Sequence, residues 1–254
     1  MKQHELSTRL TAYFEKTPHI ALGFSGGVDS SYLLYEAVCH KIDIRAYYIK
    51  TAFQPEFEMN DAIRITNDLG TNLSVLEVNI FDFPDIIVNT ADRCYHCKKL
   101  LFQTLKNRAA ADGYSVLADG TNASDDSTDR PGMRALKELS ICSPLRECGF
   151  TKQDVRELSK RAGLFTWDKP AYACLATRIP TGKPITKELL QRVEYAEDAL
   201  FRLGYSDFRV RVYGDAARLQ FTQEQMNEAV QNRDKIYEAI KPYFDNVFLD
   251  MAGR

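Results

Sequence analysis

His19-Ile20-Ala21-Leu22-Gly23-Phe24, followed at once by Ser25-Gly26-Gly27-Val28-Asp29-Ser30, is a short apolar run that ends in a Ser-Gly-Gly turn. From Ser30 to His40 apolar residues recur at helical spacing, through Leu33, Leu34, Ala37 and Val38. Strand, tight loop and helix thus follow one another without a linker. Working outward, the alternation continues. The pattern predicts strands over 42–49, 72–79 and 115–118 and helices over 56–69 and 97–111. Alternating strands and helices imply an α/β fold, a parallel sheet covered on both faces, with ligands at the carboxyl ends of the strands.

Farther along, 120–132 is rich in Asp, Ser, Thr and Gly and reads as a loop directly after a strand. Residues 151–162 read as a helix with a Thr cap and Asp154 in its first turn. Regularity then breaks over 165–184, which hold three prolines and a glycine. Beyond the break the pattern predicts a helix over 186–203, a strand pair over 208–213 and 217–221, a helix over 224–243 and a last strand over 247–250. The expected organisation is a larger α/β domain, residues 1–180, and a smaller C-terminal α+β domain, residues 181–254.

The 254 residues are 44% hydrophobic and 27% charged, the composition of a globular chain. No apolar run approaches the roughly 20 residues that span a bilayer, and Met1-Lys2-Gln3-His4-Glu5-Leu6 lacks the apolar stretch of a signal peptide, so the expected location is the cytoplasm. Net charge is 33 minus 35, or −2, which argues against a broad basic surface for nucleic acid. Six cysteines in a reducing compartment point to ligand or nucleophile roles rather than a disulfide frame.

A loop between strand and helix presents unpaired backbone N–H groups at the positive end of the helix dipole, and so suits phosphate. Glycines allow close approach, Ser25 and Ser30 offer hydroxyl donors, and Asp29 is an acceptor for a hard cation such as Mg2+. The loop has no lysine, so it is not a Walker loop. Ser25-Gly26-Gly27-Val28-Asp29-Ser30 resembles instead the signature of the PP-loop ATP pyrophosphatases, which cleave ATP between the α and β phosphates and leave AMP on an acceptor oxygen. The plain alternative is an ordinary Gly-Gly turn capped by Asp or Ser.

Cys94-Tyr95-His96-Cys97 is a CxxC ahead of the helix predicted from residue 97, and Cys174 lies in the irregular Pro170-Ala171-Tyr172-Ala173-Cys174 segment. A structural zinc site wants four ligands, whereas three thiolates can hold a 4Fe-4S cluster and leave one iron open. A redox pair or two small buried residues remain alternatives for the CxxC. Lys169 and Arg178 flank Cys174 and would favour its thiolate. Cys39, Cys142 and Cys148 read as structural, Cys39 on an apolar helix face.

Taken together, SGGVDSS, RCYHCK, DGTNASDD followed by DRPG, KPAYACLATRIPTG and RVRVYG make the chain similar, over nearly its whole length, to the LarE family of ATP-dependent sulfur transferases. The resemblance implies a PP-loop domain of the adenine nucleotide alpha hydrolase-like type. It also implies a reaction in which ATP with Mg2+ adenylylates a carboxylate of pyridinium-3,5-biscarboxylic acid mononucleotide and sulfur displaces AMP, towards a nickel-pincer cofactor. On that resemblance Ser25, Gly26, Gly27, Asp29, Ser30, Gly120, Thr121, Asn122 and Asp125 are expected to bind ATP. Cys174 and Asp29 are expected to be catalytic. Arg178, Glu197, Arg209 and Arg211 are expected at the substrate, the two last alternating onto one face of a strand. The plain alternative for Arg209, Arg211 and Glu197 is a solvated charged surface.

Cys174 matches the cysteine that one branch of the family sacrifices for its sulfur. With Cys94 and Cys97 added, the chain resembles the branch in which three cysteines bind a 4Fe-4S cluster and a cluster-bound sulfide is transferred. The resemblance further implies a small nucleotide substrate, sulfide or another sulfur donor, no nucleic acid or membrane partner, and a homo-oligomer. Rival readings are a PP-loop tRNA 2-thiolation enzyme, an amide-forming PP-loop ligase with inert cysteines, and a non-enzymatic iron-sulfur or nucleotide-binding regulator.

Overall fold

A computed structural model describes residues 2–125 and 131–254. Part of the loop predicted over 120–132, including Asp126 and the Asp129-Arg130 of the DRPG motif, lies outside the described residues. The chain forms two compact units. The first comprises residues 1–51, 56–78 and 94–169, and the second residues 52–55, 79–93 and 170–254.

In the first unit, β1 (His19–Gly23), β2 (Asp43–Lys50), β3 (Leu73–Glu77) and β4 (Leu117–Ala118) form a parallel sheet in the order β3-β2-β1-β4. Alternate residues of a strand face opposite sides, and both sides here are apolar. Ile20, Leu22, Ala46 and Tyr48 join one core with Tyr32, Leu33 and Leu34 of helix Val28–Cys39. Ala21, Tyr47 and Ile49 join a second core with Leu105 and Ala109 of helix Arg93–Ala111. Two-sided burial explains why β1 reads as a continuous apolar run rather than an alternating one. Between β1 and β4 the strand order reverses direction, and the loops that follow the two strands leave from the carboxyl edge at this switch point, where open α/β sheets bind ligands.

Residues 2–16 form a helix in which Leu6, Leu10 and Phe14 recur every four residues and are buried. The helix over 152–161 has its cap at Thr151, whose hydroxyl accepts from the Asp154 N–H while the Asp154 carboxylate accepts from the Thr151 N–H. Cys142 extends the sheet edge, bridging Ala118 in parallel. In this part of the chain two sequence expectations need correction. The helix predicted from residue 97 begins at Arg93, so the CxxC lies in its first turn. Pro131 and Gly132, expected in a loop, open helix Pro131–Glu138, where proline's fixed φ suits the first position.

The second unit holds β5 (Arg209–Tyr213) and β6 (Ala216–Gln220), an antiparallel pair, with β7 (Val247–Leu249) parallel to β6. Helix Lys187–Arg202 turns Leu190, Val193, Ala196 and Leu200 inward, and Phe208, Val210, Val212, Leu219 and Phe221 are buried in the same unit. The helix predicted over 224–243 is two helices, Gln223–Gln231 and Arg233–Ile240, broken at Asn232 with φ −93° and ψ 16°. Asn tolerates such conformations better than most residues, and its amide donates to the Tyr205 hydroxyl at 3.3 Å.

Asn89 ties the segment 79–93 into this unit. It is fully buried with φ 62°, and its amide donates to the carbonyls of Pro180 at 2.8 Å and Lys183 at 2.9 Å. Its carbonyl accepts from the Gly182 N–H, and its side-chain oxygen from Arg93, which also donates to the Ala176 carbonyl. Those contacts replace the regular ladder that a proline-broken stretch cannot make.

Candidate functional site

At the switch point of the first unit, the turn after β1 and the turn after β4 meet. Gly26 has φ 68°, a left-handed conformation that glycine adopts at no steric cost, and a Cβ there would lie 3.0 Å from the Ala62 nitrogen. Gly120 is required for closeness instead: a Cβ would lie 2.7 Å from the Ser30 nitrogen. Within the turn, the Ser25 and Ser30 hydroxyls stand 3.2 Å apart, the Gly27 N–H donates to Ser25 Oγ, and Ser30 Oγ donates to the Gly27 carbonyl. Helix Val28–Cys39 then starts with Gly27 as N-cap and no side-chain cap. Its first N–H groups therefore have no capping acceptor from Gly27, as an anion-binding helix start requires.

The second turn is built by short polar side chains. Asp119 accepts from the Thr121 N–H at 3.1 Å, from the Thr121 hydroxyl at 2.6 Å and from Ser143 at 2.8 Å. Asp125 accepts from the Asn122 N–H, and Asn122 Oδ1 from the Ser124 N–H. Asn122, 1% exposed, reaches back and donates to Asp29 at 3.2 Å. Asp29 also pairs with Lys152, Nζ to Oδ2 2.5 Å. Burial pushes the Asp29 carboxyl above the ordinary range; Lys152 pulls it down through charge and hydrogen bond, and Asp125 pushes it up again.

Cys94 and Cys97 lie three residues apart on one helical turn and so share a face. Cys94 lines a cleft of about 400 Å³ together with Lys98, Thr121, Asp125 and the start of helix Pro131–Glu138. The first CxxC cysteine and two residues expected at the nucleotide thus open into one space. Within either unit, no three His, Cys, Asp or Glu among the described residues gather closely enough to hold a metal ion by themselves.

In the second unit, Cys174 is half-buried and is the N-cap of a short 3₁₀ helix, Leu175–Arg178. Its carbonyl accepts from the Thr177 N–H and hydroxyl. Arg178 is 1% exposed and forks onto Glu197, Nε to Oε1 2.8 Å and Nη2 to Oε2 3.1 Å, while Nη1 donates to the Ala173 carbonyl at 2.8 Å. Glu197 accepts further from the Val210 N–H and the Tyr172 hydroxyl. Arg178 and Arg209 both lie over the Tyr172 ring. Arg209 donates to the carbonyls of Phe208 and Ala171, and Arg211 to Gln220 and the Thr177 carbonyl.

Three guanidinium groups thus cluster around one buried carboxylate. Burial opposes the Arg178 charge, but Glu197 outweighs it and holds the pKa up. Arg209 is lowered to about 10, first by burial and then by the charge of Arg178. Arg211 is lowered by burial and by Arg178 and Arg218. The cluster sets three guanidinium charges about one carboxylate, an excess that a bound anion would offset.

Several sequence expectations change. Glu197 and Arg209 are buried, at 1% and 5% exposure, so the solvated-surface alternative fails for both. Lys169, expected to act on Cys174, pairs with Asp61 at 2.6 Å, lies over the Phe57 ring and reaches the Gly26 carbonyl at 3.5 Å. Cys39 is exposed, whereas Cys148 is buried and Cys142 packs against the core as expected. Sequence reasoning missed Asp119, Tyr172 and Lys152. Tyr172 had a signal in its nearness to Cys174; Lys152, 123 residues from Asp29, had none.

Known proteins align over most of the chain. A Synechocystis protein described only as uncharacterized is 38% identical over 88% of this chain and 84% of its own length. An uncharacterized protein of Methanocaldococcus jannaschii is 31% identical over 90% and 87%. The pyridinium-3,5-bisthiocarboxylic acid mononucleotide synthase of Lactiplantibacillus plantarum is 29% identical over 96% and 90%. More distantly, the tRNA-specific 2-thiouridylase MnmA of Thermotoga petrophila is 22% identical over 57% and 52%. No protein-family model matches the chain.

Proposed function

The chain belongs to the LarE family of the PP-loop superfamily, and on that premise we propose that it is an ATP-dependent sulfurtransferase acting on pyridinium-3,5-biscarboxylic acid mononucleotide. The observation that carries this reading is the cleft in which Cys94 faces Thr121 and Asp125, beside a phosphate-type loop whose Asp29 bonds Asn122. The phosphate-type loop and the first cysteine of the CxxC lie in one unit.

In the proposed reaction a carboxylate oxygen of the substrate attacks the α phosphorus of ATP, the α–β bridge bond breaks, and pyrophosphate leaves. A carboxylate is inert to nucleophiles; its AMP ester is not. Sulfur then bonds to the carbonyl carbon and AMP departs with the electron pair, leaving a thiocarboxylate. Ser25, Gly26, Gly27 and Ser30 would bind phosphate through hydroxyl and N–H donors, with Gly120, Thr121, Asn122 and Asp125 around the nucleotide. Asp29, a carboxylate with Asp125 close enough to disfavour its ionisation, has the hard oxygen donors that Mg2+ takes.

The sulfur end is assigned to Cys174, and the surplus charge of Arg178, Arg209 and Arg211 suits the substrate's phosphate and carboxylates. Cys94 and Cys97 share a helix face, as two ligands of one cluster would, and Cys174 offers a third thiolate. A 4Fe-4S cluster bound by the three would supply the sulfide that is transferred. The reading also places the protein in the cytoplasm, where thiols stay reduced.

The likeness to MnmA supports a second reading, thiolation of tRNA. One experiment separates the two. Anaerobically prepared protein is incubated with ATP, Mg2+, sulfide and either the pyridinium dicarboxylate nucleotide or unmodified tRNA, and small molecules, RNA and protein are analysed by mass. The expected result is repeated formation of thiocarboxylate with AMP and pyrophosphate, unchanged tRNA, and visible iron-sulfur absorbance that disappears in Cys94→Ser, Cys97→Ser and Cys174→Ser. Thiolated tRNA overturns the substrate. Absence of iron with one turnover and loss of sulfur from Cys174 overturns the cluster.

A further inference from the structure

The phosphate loop has no lysine of its own, yet a lysine stands on it. Lys152 is the first residue of helix Lys152–Arg161, and its Nζ lies 2.5 Å from Oδ2 of Asp29, in the first turn of the helix that follows Gly26-Gly27. We propose that Lys152 is the phosphate-binding cation of this loop, held by Asp29 until ATP arrives with its magnesium and then exchanged onto the outer phosphates. The proposal rests on the ATP reading given above and assigns a residue to it.

The base of Lys152 is fixed and its tip is not. Its N–H donates to Ser124 Oγ at 3.0 Å, and the Thr151–Asp154 capping box sets the helix start beneath it. The side chain itself is 33% exposed, so the ammonium can swing without opening a core. Lys169, the other lysine at the turn, is tied at both ends: 15% exposed, paired with Asp61, stacked on Phe57 and within reach of the Gly26 carbonyl. Lys169 therefore holds the turn, and Lys152 is the lysine able to change partners.

Charge supplies the reason to move. Asp29, with Asp125 nearby, needs a counter-ion, and Lys152 provides it before nucleotide binds. A divalent cation on Asp29 satisfies that carboxylate better and repels the ammonium. A triphosphate brings several negative charges to N–H and hydroxyl donors that carry no full charge, so the displaced ammonium gains there what it loses at Asp29. It follows that a metal ion alone competes with Lys152 at a disadvantage, whereas metal and ATP together do not.

The test uses the full chain and its Lys152→Gln and Lys152→Arg variants, with ATP, AMP and Mn2+ as separate probes. Nucleotide binding is read by calorimetry and Mn2+ by the electron-spin signal of the free ion. In Lys152→Gln, ATP is expected to bind about 10- to 100-fold more weakly, the loss of one charge-assisted contact. AMP should stay within about twofold, and Mn2+ without nucleotide should bind about tenfold more tightly because Asp29 has lost its internal competitor. Lys152→Arg should restore part of the ATP affinity. Equal weakening of ATP and AMP would mean that Lys152 only props the loop, and unchanged ATP affinity would remove it from the site; either overturns the proposal. Failure of the unaltered chain to bind ATP would sink the ATP reading itself.

Discussion

Gly120 shows how a single atom sets the site. An added methyl would press 2.7 Å from the Ser30 nitrogen, against backbone that has no room to yield. Gly120→Ala is expected to cost about 1–3 kcal/mol in urea unfolding and to weaken ATP binding in the same preparation; a variant as stable and as tight as the parent would contradict the close approach. Glu197 is the opposite case, a charge buried among charges. Glu197→Gln preserves shape but leaves Arg178 uncompensated, and should lose about 3–5 kcal/mol by denaturant titration. Cysteine reactivity divides along burial. The Cys148 thiol is pushed up to about 11, chiefly by burial and then by Glu147, so it remains protonated at pH 8. A maleimide at that pH should label exposed Cys39 quickly and Cys148 only after unfolding, read by peptide mass. At this scale the sequence was legible where chemistry is local, as in the Ser25–Ser30 turn. It was opaque where a partner comes from far away, as Lys152 does, and it left open whether Glu197 and Arg209, expected at the substrate, were instead surface charges, because burial has no local signal.

Secondary elements were read best where one period dominates. β1 and helix Val28–Cys39 came from an apolar run and a helical repeat, and the Thr151 cap from its Asp154 partner. Short helices such as Pro84–Ile87 and Pro144–Glu147 escaped because a single turn has no period to detect. Helix Lys152–Arg161 carries a prediction of its own. Thr151→Ala removes the hydroxyl that accepts from the Asp154 N–H, and should lower unfolding stability by about 1 kcal/mol. Because the cap also sets where Lys152 begins, ATP binding should fall in that variant while AMP binding is retained, measured side by side by calorimetry.

For the molecule as a whole, alternation of strands and helices was enough to give the α/β class and the parallel sheet, and the scattered motifs were enough to give the family. The make-up of the second unit was not legible, because 52–55 and 79–93 join it from within the first half and no local pattern marks them. Whole-chain charge bears on partners. With 33 basic against 35 acidic residues, the chain lacks the excess that releases counterions from a folded RNA. Unmodified tRNA is therefore expected to show no mobility shift with the protein at physiological salt; retention there, abolished by higher salt, would speak for the tRNA reading.

Asn89 and Arg93 give the discontinuous unit a consequence in time. Their acceptors are the carbonyls of Ala176, Pro180 and Lys183, made long after Asn89 itself has left the ribosome. At about 5–20 residues per second, the 79–93 segment waits several seconds for its partners, while strands β1 to β4 have all they need earlier. Vectorial synthesis thus favours completing the nucleotide-type sheet first. A gene cut at residue 170 would separate two products, neither of which carries the whole of the second unit: the early product would strand Asn89 without acceptors, and the late one would lack the amide that gathers its proline-broken segment.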